Sequence, residues 1–305
     1  FVITANGYDS YMNENKLLTP KVTIGMPVYN GVESIRRAID SVLSQTLLNF
    51  ELIISDNNST DATSKICREY EKKDKRIRYI KQEKNNGWFF NFKFVLDAAS
   101  CEYFVWLSDD DYWESTFLEE NVKILDSKSD IVGSIGIVKY LTESNDDKNT
   151  TQKFKDKFRD KNSNFKSYRH VATVSGSYFK KARFYLRFNQ ASFIYAIFRT
   201  EKLRRRWNPK LIAPWDLTLL LNILKEGDFN VIEKILMHRP SSGVRSRTSR
   251  LKMHQQKMIS TIDLFIPSFS FAFWCAQNVG KKFFVKNLDW FTMLTLYGWD
   301  AIIRK

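Results

Sequence analysis

The sequence predicts an α/β fold built on a mostly parallel sheet. Between Lys21 and Val138, apolar runs of strand length alternate with stretches of helical period, the pattern that βαβ units leave in a chain. A polar loop follows three of those runs at the same end, Met26→Asn30, Ser55→Thr60 and Leu107→Asp111. Open parallel sheets gather their ligands beyond the carboxyl ends of the strands, so these loops are expected to share one crevice. The third loop holds three consecutive carboxylates, Asp109-Asp110-Asp111, after the apolar run Tyr103–Leu107.

Each element has its own signal. Val22–Met26 reads as a buried strand that Pro27 ends. Ile35, Ala38, Ile39, Val42 and Leu43 recur at helical spacing, with Glu33, Arg36, Arg37 and Asp40 on other faces. Phe50–Ser55 is a second strand, and Asp56–Thr60 is rich in turn formers, with Asp61 or Thr60 capping a helix through Tyr70. Ile77–Ile80 is a third strand, and Asn85-Asn86-Gly87 turns into a helix from Trp88 to Ala99. Another helix begins near Glu114, and Ile131–Val138 is a fifth strand. Residues 142–169 are rich in Asp, Lys, Asn and Ser and read as a mobile surface insertion. Phe193–Phe198 is strand-like, and a helix cored by Leu217, Leu220, Leu221 and Leu224 follows Pro214-Trp215-Asp216.

Adjacent carboxylates repel, and a divalent cation or a cluster of donors relieves the cost most simply. Hard cations such as Mg²⁺ and Mn²⁺ take oxygen ligands and keep positions open for substrate phosphates. A solvated acidic turn capping the next helix is the plainer alternative. The chain has 305 residues and a formal net charge of +14, a balance that favours an anionic partner. Cys67, Cys101 and Cys275 are widely spaced and form no CxxC, which suits reduced thiols in a cytosolic setting. The N-terminus lacks the basic-then-apolar pattern of a signal peptide. Residues 264–280, the one long uncharged stretch, are too short and too polar for a membrane span. No P-loop, HExxH or GxGxxG is present, so ATPase, zinc-protease and dinucleotide readings have no anchor.

From about Val22 to Arg239 the chain resembles glycosyltransferase family 2, whose members have the GT-A fold. Pro27-Val28-Tyr29-Asn30 resembles the family's opening nucleotide loop, with Glu33 beside the nucleotide, and Ala38–Thr46 its first helix. Phe50–Asp61 is close to the family consensus, in which the Asp matching Asp56 binds the base; Asn58 lies in that loop. Asn86-Gly87, Asn91 and Glu102-Tyr103 match the third block, and Asp110-Asp111 the metal pair. The resemblance implies a metal-dependent, inverting transfer from a nucleotide-diphospho-sugar, most simply a UDP-sugar, to a glycan or lipid-linked acceptor. An ionised Asp56 can accept from a ring N–H of uracil or thymine; its alternative role is an Asx-turn that shapes the loop. Asp109 and Asp110 would face ribose or hold the cation through water, and Asp111 would bind it directly. Asn91 is open between a ligand contact and a solvated helix residue.

Trp215-Asp216 resembles the block that carries the catalytic base, although Asp at a helix start is also a common cap. Where the family often has Arg-x-His after the next strand, this chain has Met237-His238-Arg239-Pro240-Ser241. His238 is thus a displaced candidate for the metal, and Arg239, Arg245 and Arg247 are candidates for phosphate. The expected organisation is an extension at 1–20 and a catalytic domain at 21–240. Within it lie a nucleotide-binding half at 21–138, the insertion at 142–169 and an acceptor-side half at 170–240. A basic, aromatic helical region at 241–305 suits either an interfacial helix on an anionic bilayer or a hairpin packed on the domain. The expected place is the cytoplasm, at the inner face of the membrane, with no nucleic-acid partner because an acidic crevice repels a phosphate chain. Two alternatives are a nucleotidyltransferase, which would need a Gly-rich, basic loop after the first strand, and a non-catalytic sugar-nucleotide binder.

Overall fold

The computed structural model describes residues 19–141, 173–187, 191–240 and 260–303. The predicted insertion at 142–169, nearly all of the extension at 1–20, and Arg245 and Arg247 lie outside the described residues. Four strands form the parallel half of an eight-stranded sheet: β1 (Val22–Val28), β2 (Phe50–Asp56), β3 (Ile77–Lys81) and β4 (Tyr103–Trp106), in the order β3-β2-β1-β4. β1 is buried along its whole length, VTIGMPV, as expected of a parallel strand covered on both faces. It runs through Pro27 rather than stopping at it. The β1–β4 ladder ends at Gly25↔Trp106, so Pro27 lies past the point where its missing N–H would remove a bond from that ladder.

Helices α1 (Ile35–Leu43), α2 (Thr63–Lys73) and α3 (Trp88–Asp97) connect these strands. α1 buries Ile35, Ala38, Ile39 and Val42, the expected stripe. α2 starts at Thr63, later than either predicted cap, while Asp61 Oδ1 accepts from the Thr63 N–H at 2.9 Å. α3 packs so closely on β1 that a Cβ on Gly25 would lie 2.7 Å from Val95 Cγ2 and 2.8 Å from the Phe104 ring.

The other half of the sheet is mixed, continuing β7-β6-β8-β5. β5 (Tyr112–Trp113) and α4 (Phe117–Ser127) lead to β6 (Ile131–Leu141). After α5 (Tyr178–Arg187), the segment read as one strand is a 3₁₀ turn, Ala191–Tyr195, and only Ile197–Arg199 forms β7. β7 is antiparallel to both β4 and β6. Its Arg199 donates to the Leu125 and Lys128 carbonyls at 2.6 and 3.1 Å, closing the C-terminus of α4. Helix α6 (Thr200–Arg206) does the same for α3: Arg204 reaches the Leu96 and Asp97 carbonyls at 3.0 and 3.2 Å. α7 (Trp215–Ile223) precedes β8 (Asp228–Pro240), a long strand parallel to β6 and antiparallel to β5. Helices α8 (Thr261–Phe265), α9 (Phe269–Asn278), α10 (Lys281–Lys286) and α11 (Leu288–Ile303) follow. Phe271, Trp274, Phe283 and Trp290 are buried, so aromatic core accounts for part of this region. Among the described residues, no helix is long and apolar enough to cross a membrane.

The tight seat of Gly25 gives the first prediction. Gly25→Ala should cost about 1–3 kcal/mol through overpacking, read as a lower urea midpoint with the slope of the transition unchanged.

Candidate active site

The three strand-end loops meet, as expected. Asn30, at φ 51°, donates its N–H to Ser59 Oγ at 2.9 Å, and its Oδ1 accepts from the Thr60 N–H at 2.9 Å. The Gly31 N–H donates to Thr63 Oγ1 at 2.9 Å. Loop one thus lies on loop two. It also lies on loop three: Ser34 Oγ donates to Asp109 Oδ2 at 3.3 Å, and a Cβ on Gly31 would come within 2.4 Å of that oxygen. Only glycine leaves room for the Asp109 carboxylate there.

Below the loops the strand ends are clipped together. Asn91 on α3 donates Nδ2 to the Ser55 carbonyl at 2.7 Å, while its Oδ1 accepts from Ser55 Oγ at 2.5 Å. It is buried, so it is not a solvated helix residue, and its amide is engaged by β2. Asp56 is fully buried as well. Its oxygens accept from the Ser59 N–H at 2.7 Å and from the Ser64 and Tyr79 hydroxyls, each at 2.7 Å. These donors hold its carboxyl below the usual range against the opposing effect of burial. The bond from Ser59 is of the Asx-turn kind, one of the two roles expected of it. Around it, Asn58 sits at φ 62° and Gly87, which precedes α3, at φ 87°. Pro27 and Val28 are buried in β1, whereas Tyr29 and Glu33 are exposed at the rim.

Asp111 is the unusual group. It is 0% exposed, and neither carboxylate oxygen has a hydrogen-bond partner. Arg239 Nε is 3.3 Å from its Oδ1. The pairing is a product of register: β5 and β8 match Tyr112 with His238, and one step further sets Arg239 opposite Asp111. Arg239 Nη2 donates to Tyr195 Oη at 3.2 Å, and the guanidinium lies 4.0 Å over that ring. Arg37 donates to the Asp110 carbonyl at 3.0 Å and stacks on Tyr112 at 4.8 Å. Burial pushes the Asp111 carboxyl up to about 8, with Arg239 opposing and Asp110 and Asp109 adding to the rise.

His238 is not brought to this carboxylate. Adjacent strand residues point to opposite faces, and His238 stacks on Tyr112 at 4.6 Å with Nε2 2.6 Å from Glu114 Oε1. It therefore leaves the expected ligand set. Asp216 sits in the first turn of α7, where Trp215 joins Trp88, Phe92, Trp106 and Trp207 in an aromatic nest. The cap residue is Pro214. Burial raises the Asp216 carboxyl, while donation from the Leu217 N–H and the charge of Arg239 pull it down.

Among the described residues no three His, Cys, Asp or Glu side chains form a metal cluster. The donor set nonetheless fits a hard cation. Mg²⁺-type sites use one or two carboxylates and leave the remaining positions to water and phosphate. Asp111 has two oxygens without donors, and Asp109 is the next buried carboxylate.

Residues 23–187, more than half of the chain, match the family model of glycosyl transferase family 2. The chain belongs to that family. Its family 2 relatives include GlyA of Streptococcus pneumoniae, 35% identical over 116 residues, which are 38% of this chain and 16% of GlyA. TuaG of Bacillus subtilis, named for teichuronic acid biosynthesis, is 34% identical over 110 residues, 36% of this chain and 44% of TuaG. The chain thus spans less than half the length of either relative. S. aureus TarS 1-349, solved with UDP-GlcNAc, superposes with a TM-score of 0.56 at 17% identity over 77% of this chain and 64% of that one. That likeness is one of fold, the GT-A arrangement. The family match ends before Asp216 and Arg239; of the two, the pairing of β8 with β5 brings Arg239 to Asp111.

Arg37 and Tyr195 escaped the sequence reading. Arg37 looks like an exposed helix residue, and no local signal predicts that a 3₁₀ turn delivers Tyr195 to Arg239. The raised Asp111 carboxyl gives a signed pH prediction. Between its ordinary value of 3.8 and about 8, folded Asp111 keeps a proton that the unfolded chain has lost. Without divalent cations, stability should therefore fall as pH rises through that interval, and Asp111→Asn should remove that part of the slope. Denaturation in EDTA across pH checks this; an unaltered slope in the variant would mean that Asp111 titrates normally.

Proposed function

We propose that this chain is an inverting glycosyltransferase that moves a sugar from a nucleotide-diphospho-sugar to an acceptor hydroxyl. The observation that carries the reading is Asp111: a buried carboxylate whose two oxygens accept no hydrogen bond, at the meeting of three strand-end loops in a family 2 chain. A donor would lie across those loops. Tyr29, exposed at the end of β1, offers a ring face, and Asn30, Glu33, Asn58, Asp109 and Asp110 offer polar edges for base and ribose. A UDP-sugar is the donor we favour, since TarS of the same fold is solved with UDP-GlcNAc and with UDP.

Asp216 is the proposed base. Its carboxyl, raised by burial, is a stronger base than an ordinary aspartate, which suits it to take a proton. The acceptor oxygen, as its proton passes to Asp216, bonds to the anomeric carbon from the face opposite the diphosphate. The carbon–oxygen bond to the diphosphate breaks, and the electron pair leaves on the nucleoside diphosphate. Arg239, paired with Asp111, would meet the phosphate charge. A divalent cation, Mg²⁺ or Mn²⁺, held by Asp111 with Asp109 beside it, would neutralise the departing diphosphate when bound. The acceptor class we favour is a glycan or lipid-linked glycan. Because basic and aromatic residues crowd the C-terminal helices, we place the chain in the cytoplasm, at an anionic membrane face.

Calorimetric titration of UDP, GDP, dTDP and CDP, each with Mn²⁺ and with EDTA, tests the donor site. One nucleotide should bind only with metal, and Asp111→Ala should abolish that binding. Asp216→Asn should lower sugar transfer by about 10²–10⁴-fold, the usual worth of a positioned base, with nucleotide affinity unchanged. Full transfer by that variant would remove Asp216 from the chemistry, and no nucleotide binding at all would sink the transferase reading.

A further inference from the structure

A groove of about 670 Å³ lies between α5 and α10, away from the acidic loops. Its walls combine two chemistries. Phe179, Phe184 and Phe283 line it with ring surface, and Lys180, Arg183, Arg187, Lys282 and Lys286 add positive charge. Arg187 is neutralised by Asp289, whose two oxygens lie 2.7 and 2.8 Å from Nη2. Among the described residues no carboxylate pairs with Lys180, Lys282 or Lys286, and all three are exposed. Lys282 and Lys286 stand one helical turn apart, as do Lys180 and Arg183. Like charges at such spacing destabilise a helix unless an anion lies between them.

Apolar side chains also stand exposed in this part of the chain. Among the described residues, most of the large exposed hydrophobic side chains are Phe179 and residues from α8 onward, including Phe265 at 68%, Val285 at 66% and Leu296 at 65%. Val285 lies on α10 between the two lysines, and Leu288 follows at 50% exposure. Exposed aliphatic and aromatic groups beside unpaired cations suit the boundary between head groups and acyl chains. A nucleic acid would use the cations and the rings but would leave the aliphatic side chains in water.

We infer that the α5–α10 groove binds the phosphate head group of an anionic phospholipid in a bilayer, with its chain against Phe179, Phe184 and Phe283. The site deepens the membrane placement above and is independent of the transferase chemistry, since its test reads no turnover. It also has a mechanical consequence. Tyr178 of α5 donates its hydroxyl to the Leu221 carbonyl of α7 at 3.0 Å. A lipid in the groove would therefore hold α7, and Asp216 in its first turn, at a set height above the bilayer.

Flotation of the full chain with phosphatidylcholine vesicles, with and without phosphatidylglycerol, tests the site. Binding should require phosphatidylglycerol. Lys282→Gln with Lys286→Gln should lower the partition coefficient by about thirtyfold, roughly fivefold for each basic side chain near an anionic surface. Lys72→Gln with Lys73→Gln, the same charge change at the exposed end of α2, should leave it nearly unchanged. Equal losses in both pairs would reduce the effect to overall charge and overturn the site. So would displacement of the protein by inorganic phosphate at matched ionic strength, which would assign the groove to soluble phosphate. Equal flotation on pure phosphatidylcholine, or none on either vesicle, would overturn it as well.

Discussion

Charge without an outlet is the constraint around which this fold is arranged. Asp109, Asp110 and Asp111 follow one another at the end of a central strand, and two of the three are buried. Repulsion and lost hydration both oppose the ionisation of Asp111. The compensation comes from distant parts of the chain. Arg37 reaches across from α1, Ser34 donates to Asp109, and Gly31 leaves the space that Asp109 fills. β8 runs the length of β6 to pair with the two residues of β5, and that register delivers Arg239 to Asp111. Even so, the Asp111 oxygens keep no hydrogen-bond donor. A site that holds a carboxylate buried, with no hydrogen-bond donor from the protein, is suited to a cation that comes and goes with a ligand.

The parallel half of the sheet was legible because its strands are buried on both faces and read as unbroken apolar runs, with amphipathic helices between them. The mixed half was not. β5 is only two residues long and β7 three, so neither leaves a periodic signal. Each exists because a partner strand is already present. At the site, residue type pointed to the right loops, and burial then redistributed the roles. Asp56 and Asn91 have the polar chemistry of ligand contacts, yet their hydrogen bonds close on the strand ends and loops that support the site. His238 and Arg239 are neighbours in sequence, and strand alternation sends only Arg239 to the acid. None of this is written in local composition.

The basic balance divides in the same way. Arg199 and Arg204 are spent on the C-terminal carbonyls of α4 and α3, and Arg205 and Arg206 pair with Glu226. The run Arg204-Arg205-Arg206 is thus largely internal scaffolding, unlike the exposed lysines of α5 and α10. The thiols carry no such role: burial pushes Cys67 up to about 12 and Cys101 up to about 11, which leaves both as unreactive packing groups.

Strand register sets what Arg239 can do. Its charge lowers the carboxyls of both Asp111 and Asp216, each of which burial raises. At 3.3 Å its close partner is Asp111, where the guanidinium opposes the effect of burial without supplying a hydrogen bond. Because His238 turns away to Glu114, that compensation hangs on one side chain, delivered by the pairing of β8 with β5.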